Sequence, residues 1–232
     1  MKLGIMQPYF FPYLGYWQLI NAVDKYVIYD DVNFIKNGWI NRNNILLNAK
    51  KHLITLPLEG ASSFLLINQI KTSSKIKDKE KLLKTIEQAY KKAPYFEKIL
   101  PIFKDTIFHE SGFISNALIF SIKKIAEYLS INTEIILSSE LKKDNSLSAE
   151  EKVMHICKVL NADSYYNAIG GQELYNAHNF EKNNINLNFL EMNHLCYSQF
   201  NHEFVPNLSI IDVLMFNSPD SIKEMLNEFR II

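Results

Sequence analysis

Cysteine and glycine are scarce in this 232-residue chain, which has two of the first and seven of the second. Cys157 and Cys196 stand far apart, with no CxxC pair and no histidine at ligand spacing. That pattern argues against a structural zinc site and fits a reduced, cytoplasmic protein. An excess of either charge is also missing, since 25 lysines and arginines face 25 aspartates and glutamates. No overall field draws the chain to nucleic acid, and no polybasic run marks a membrane surface, so any cationic site must be local. Long apolar runs are absent as well. The region from Phe113 to Ile125 is broken by serines and lysines and falls short of the roughly 20 apolar residues a membrane helix needs, so no membrane insertion is expected. Met1-Lys2-Leu3 leads straight into an apolar pattern without the successive regions of a secretory signal.

What the chain does have is apolar and aromatic residues, at 47% and 12%, enough for one large core or two modest ones. The stretch from Leu3 to Arg42 organises the rest. Leu3, Ile5 and Met6 form a short apolar run that stops at Gln7-Pro8, as a buried strand must at proline. Leu14, Trp17, Leu19, Ile20 and Val23 then recur every three to four residues, which predicts a helix over about Gly15 to Ala22. Tyr26 to Tyr29 supplies a second strand, ending on Asp30-Asp31. A strand, helix, strand crossover makes two parallel strands whose carboxyl ends open on one edge of the sheet, where ligands of open α/β sheets bind.

Two loaded loops fall at that edge. Gln7, Tyr9, Tyr13 and Tyr16 crowd the first, and Asp30, Asp31, Lys36, Trp39, Asn41 and Arg42 crowd the second. Each charge alone reads as a solvated surface group; the cluster points to binding. Asn44 to Leu58 and Phe64 to Ile70 read as an antiparallel pair of strands, and Asp78 to Lys92, Pro94 to Phe108 and Gly112 to Leu129 as helices. The remainder alternates strand (Thr133 to Leu137), helix (Ser148 to Leu160), strand (Ser164 to Asn167), short helix (Asn179 to Asn183) and strand (Ile185 to Leu190), a parallel α/β succession. Ser148 and Glu151 have capping-box spacing, and Ser209 with Asp212 suits a helix start. Cys157 keeps helical spacing with Val153, Ile156 and Leu160 and reads as core. Gly170-Gly171 follows a strand and serves either a tight turn or close backbone approach to a ligand. His202 is a titratable group in a polar loop.

Several segments together carry a family resemblance: QPYFFPYLGYWQLI (7–20), DKYVIYDDVNFIKNGWINRN (24–43), AYKKAPYF (89–96), YNAIGGQELY (166–175) and FVPNLSIIDVLMFN (204–217). The chain resembles the WbqC-like proteins over nearly its whole length. The resemblance implies a bacterial protein of surface-polysaccharide (O-antigen, lipopolysaccharide) biosynthesis, a transferase that moves an aminoacyl group such as glycyl, or another acyl group, to an amino sugar. It implies one domain over 1–232, with a β-pair and helical insertion at about 44–130. The opening unit is also similar to class I aminoacyl-tRNA synthetases and nucleotidyltransferases. Their HxGH histidines have no counterpart in Pro12-Tyr13-Leu14-Gly15-Tyr16.

The expected fold is α/β, with a mostly parallel, Rossmann-like sheet and helices on both faces. Asp31, His202 and Gln7 are the expected catalytic residues, as base or oxyanion donor. Tyr9, Lys36, Trp39, Asn41, Arg42, Gly170 and Gln199 are the expected substrate contacts, with Lys36 and Arg42 suited to phosphate. The expected partners are a nucleotide-linked amino sugar and an activated acyl donor; nucleic acid enters only if aminoacyl-tRNA is that donor. The cofactor is unknown, and no metal ligands are assigned. Two other readings stand beside this one: an ATP-dependent ligase or nucleotidyltransferase with Mg²⁺ on Asp30-Asp31, and a non-catalytic sugar-nucleotide-binding protein.

Overall fold

The computed structural model describes residues 1–200 and 203–232; His202 therefore lies outside the described residues. β1 (Lys2–Met6), α1 (Leu14–Ala22) and β2 (Lys25–Ile28) form the expected crossover. β1 and β2 pair in parallel from Leu3–Lys25 to Met6–Ile28. The chain then leaves this sheet for an excursion. β3 (Arg42–Leu47) and β4 (Lys50–Thr55) make a hairpin, and β5 (Leu58–Glu59) pairs with β6 (Lys71–Thr72). Three helices follow, α2 (Ile76–Tyr90), α3 (Phe96–Ile107) and α4 (Ile114–Tyr128).

The return begins with β7 (Glu134–Leu137), parallel to β2. α5 (Ala149–Val159), β8 (Ser164–Ala168), α6 (Ala177–Lys182) and β9 (Asn186–Met192) continue the alternation. α7 (Ile210–Phe216), α8 (Pro219–Met225) and β10 (Phe229–Ile231) close it. The six-stranded sheet runs β10-β9-β8-β1-β2-β7, with only β10 antiparallel to its neighbour. Counted in chain order these strands stand 3-2-1-4-5-6, the order of dinucleotide-binding doubly wound sheets.

Strand alternation assigns each side chain to one of two cores. Tyr26 and Ile28 face α1 and the excursion helices, in one large cluster with Trp17, Phe103 and Leu118. Leu3, Ile5, Val27 and Tyr165 face α5 and α6, where Val153, Ile156, Phe180 and the fully buried Cys157 pack. Burial pushes the Cys157 thiol up to about 12, so this cysteine is an apolar filler rather than a nucleophile.

The excursion departs from expectation in two places. Phe64 to Ile70 is not a strand; it contains a short 3₁₀ turn at Ile67–Gln69. Nor is Asn44 to Leu58 one strand: it folds back at Asn48-Ala49, whose φ angles of +51° and +59° belong to a tight hairpin turn, so the long antiparallel pair is β3 with β4. That turn lacks the usual glycine, which hides it from pattern reading.

Candidate functional site

The sheet opens where its strand order reverses. Registered pairing of β1 with β8 stops at Gly4–Tyr166, although both strands continue two residues further, to Met6 and Ala168. On the other side, β1 stays paired with β2 to its end. The carboxyl ends of β1 and β8 thus part, spanned by Tyr165 Oη donating to Ile5 O at 3.5 Å; this parting is the candidate crevice, at the position where doubly wound sheets take ligands.

The first wall is the loop from Gln7 to Tyr13, fixed from behind. Phe10 and Phe11 are buried against Phe103 at centroid distances of 6.0 and 5.1 Å. Phe11 holds a left-handed φ of +46°, a conformation that a bulky residue keeps only when its surroundings enforce it. Its carbonyl accepts from Asn43 Nδ2 at 2.8 Å and from Ser209 Oγ at 2.7 Å. Trp17 Nε1 donates to Pro12 O at 3.2 Å, and Phe10 N to Trp39 O at 3.0 Å. With its backbone clamped, this loop leaves Gln7, Tyr9 and Tyr13 partly exposed. Burial raises the pKa of the Tyr9 and Tyr13 hydroxyls, so both stay neutral hydrogen-bonding groups.

The second wall follows β8. Asn167 is buried; its Nδ2 donates to Tyr165 Oη at 3.0 Å and Tyr175 Oη at 3.2 Å, while its Oδ1 accepts from Ala168 N at 2.7 Å. A Cβ on Gly171 would stand 2.9 Å from Asn167 Nδ2, whereas one on Gly170 would meet nothing within 4 Å. Gly171 is thus glycine because of Asn167, and Gly170 simply leaves open space at the crevice.

The acidic pair after β2 divides its work. Asp30 is buried and accepts from Ser139 N at 3.0 Å and Ser139 Oγ at 2.7 Å, pinning the chain that leaves β7. Asp31 Oδ2 pairs with Lys143 Nζ, and that ammonium also donates to Ser138 O. The Lys143 side chain is 1% exposed and that of Asp31 is 10%. Asp31 Oδ1 and Ser138 Oγ are buried with no hydrogen-bond partner among the described residues. Such unpaired acceptors are costly, and they cluster at the same sheet edge as the crevice. Tyr29 stands beside this pair: burial raises its hydroxyl pKa, helped by the charge of Asp31 and by Tyr175.

A model of the WbqC-like protein family matches residues 7–224, nearly the entire chain. The chain belongs to the WbqC-like protein family. A relative from Mycobacterium tuberculosis, the uncharacterized protein Rv1507c, is 25% identical over 231 residues, covering 93% of each chain. No solved structure matches.

In this WbqC-like protein, Gln7, Tyr9, Asp31 and Gly170 all lie at the carboxyl edge of the sheet. Lys36 and Trp39 are exposed on the loop after β2. Arg42 is turned back onto that loop, donating from Nε to Gly38 O at 3.0 Å and also to Asn37 O. Asn41 Nδ2 donates to Leu56 O at 3.0 Å, at the base of the hairpin. Gln199 belongs elsewhere: it is buried beside Asp212, with Nε2 at 2.6 Å from Asp212 Oδ2.

Sequence reasoning assigns no site role to Lys143, Tyr29, Asn167 or Tyr175. Lys143 lies 112 residues from Asp31, in a run of polar residues that reads as plain loop; only the fold reveals the pair. Among the described residues no group of three or more His, Cys, Asp or Glu side chains is arranged to hold a metal ion. Hollows of about 450 Å³ beside Asn48, Gln88 and Lys92, and about 510 Å³ beside Glu181 and Asn186, both lie away from the carboxyl edge.

Proposed function

We propose that this WbqC-like protein is a bacterial transferase of surface-polysaccharide biosynthesis, which moves an aminoacyl group such as glycyl, or another acyl group, to the amine of a nucleotide-linked amino sugar. The observation that carries this reading is the early parting of β1 from β8. A 3-2-1-4-5-6 sheet binds nucleotide-type ligands at that point, and the residues lining it suit a sugar. Tyr9 offers an aromatic face, and Gln7 a side-chain amide for a hydroxyl or an oxyanion. The open backbone at Gly170 lets a ligand approach closely.

Acyl transfer forms a bond between the sugar nitrogen and the acyl carbonyl carbon, breaks the bond from that carbon to the donor's leaving group, and releases a proton from nitrogen. Asp31 Oδ1, buried and without a partner among the described residues, receives the amine, and Lys143 holds the carboxylate in place through Oδ2. The strand order supports a nucleotide-type ligand, and the acyl chemistry follows from the residues.

A turnover assay with nucleoside-diphosphate amino sugars and activated acyl donors tests the reading. Wild type forms the N-acyl product. Asp31→Asn loses 100-fold or more in kcat, on the order expected for a general base, while ligand binding changes little. Product formation unaffected by Asp31→Asn contradicts the assignment of Asp31. Turnover only with ATP and Mg²⁺ shifts the reaction to the ligase class.

A further inference from the structure

Opposite charges balance over the whole chain but are unevenly distributed along it. Residues 32–77 contain seven lysines and arginines against one carboxylate, Glu59. Spread over that length they form no polybasic run, which is why composition alone shows no membrane-binding signal. The same segment exposes large apolar side chains in one place. Phe64 is 91% exposed, Ile35 52%, Trp39 45% and Leu65 37%. Two loops hold them together: Phe34 N donates to Leu65 O at 2.9 Å, Asn33 Nδ2 to Ser63 O at 2.8 Å, and Gly38 N to Ile35 O at 3.2 Å. Lys36 is exposed on this tip and forms no ion pair with a carboxylate among the described residues; Arg42 forms none either, its guanidinium being held by Gly38 O and Asn37 O.

We infer that this tip docks peripherally on an anionic phospholipid bilayer. The side chains fit that partner. Phe64, Ile35 and Leu65 are the residue types that enter the acyl boundary, Trp39 is the type that sits at headgroup level, and an exposed lysine without an ion-pair partner, Lys36, is drawn to lipid phosphate. A single-stranded nucleic acid fits less well. It needs a cationic track along its backbone and flat stacking faces, whereas this tip mixes aliphatic with aromatic side chains and offers Lys36 rather than a track of cations. The tip belongs to the loops beyond β2, so docking there sets the carboxyl edge of the sheet near the bilayer. The inference stands independently of the reaction proposed for the crevice.

Co-sedimentation of the full chain with vesicles tests it, using phosphatidylcholine alone and phosphatidylcholine with phosphatidylglycerol. Trp17 is fully buried and Trp39 half-exposed, so a blue shift in tryptophan fluorescence on adding vesicles reports Trp39. The expected result is pelleting and a blue shift with the anionic vesicles, weakened by salt. In Phe64→Ser, binding falls roughly tenfold or more, the loss expected when one phenylalanine no longer enters an apolar phase, with an unchanged melting temperature. No pelleting with anionic vesicles, pelleting by Phe64→Ser as strong as by wild type, or binding of single-stranded RNA in place of vesicles would each overturn the inference.

Discussion

Gly170 and Gly171 are adjacent and differ in what they tolerate. Open space surrounds the position of a Gly170 Cβ, while a Gly171 Cβ strikes the Asn167 amide that ties Tyr165 to Tyr175. Gly170→Ala should leave stability within about 0.5 kcal/mol of wild type, and Gly171→Ala should cost about 1–3 kcal/mol through overpacking. Urea melts of both variants check this; equal effects would mean that Asn167 does not set the turn.

Asp212 makes a pH prediction at the same scale. It is fully buried at the start of α7; Oδ1 accepts from Tyr90 Oη at 2.8 Å, and Oδ2 from Tyr197 Oη at 2.7 Å and Gln199 Nε2 at 2.6 Å. Burial raises its pKa above the ordinary aspartate value, and the three donors offset only part of that rise. The folded protein therefore binds more protons here than the unfolded chain does. The stability this group contributes is fully present below the unfolded pKa of about 4, and is lost as pH rises through the raised folded value. The stability of wild type relative to Asp212→Asn should fall as pH rises over that window. Thermal melts across the acid range measure the difference, and a difference that rises with pH would contradict the account.

At the scale of elements, the legible parts were those whose causes are local. The β1-α1-β2 unit follows from an apolar run ended by Gln7-Pro8 and a helical period through Leu14, Trp17 and Ile20. The start of α5 follows from Ser148 and Glu151, whose Oε2 accepts from Ser148 N at 3.1 Å. The illegible parts depend on distant partners. β10, three residues long, gains its place by pairing with β9 from Phe229–Met192 to Ile231–Leu190. Arg42 and Gln199 looked available for a ligand, yet each makes hydrogen bonds within the fold. The β3–β4 hairpin is the clearest element-scale test. Ala49 carries a left-handed φ of +59°, a strain glycine does not feel, so Ala49→Gly should stabilise the protein by about 1 kcal/mol. A lowered melting temperature would show that the turn is not of this type.

For the whole molecule, topology does what no single residue announces. A chain that builds β2 and β7 to one side of β1, then β8 and β9 to the other, must leave a parting beside β1. The excursion between β2 and β7 adds the apolar, basic tip next to that edge. Gln7, Asp31 and Gly170 fall on one edge because all three follow strands of one parallel sheet, which the strand pattern makes legible, whereas Lys143 enters only through tertiary contact. The central claim is that this parting is the ligand site. Hydrogen–deuterium exchange with and without a nucleoside-diphosphate amino sugar tests it most directly, because ligand binding raises the cost of opening the segments it contacts. The account predicts slowed exchange at residues 7–13 and 167–171, with residues 48–49 and 184–186 unchanged. Protection confined to those last two segments, or none anywhere at saturating ligand, would contradict it.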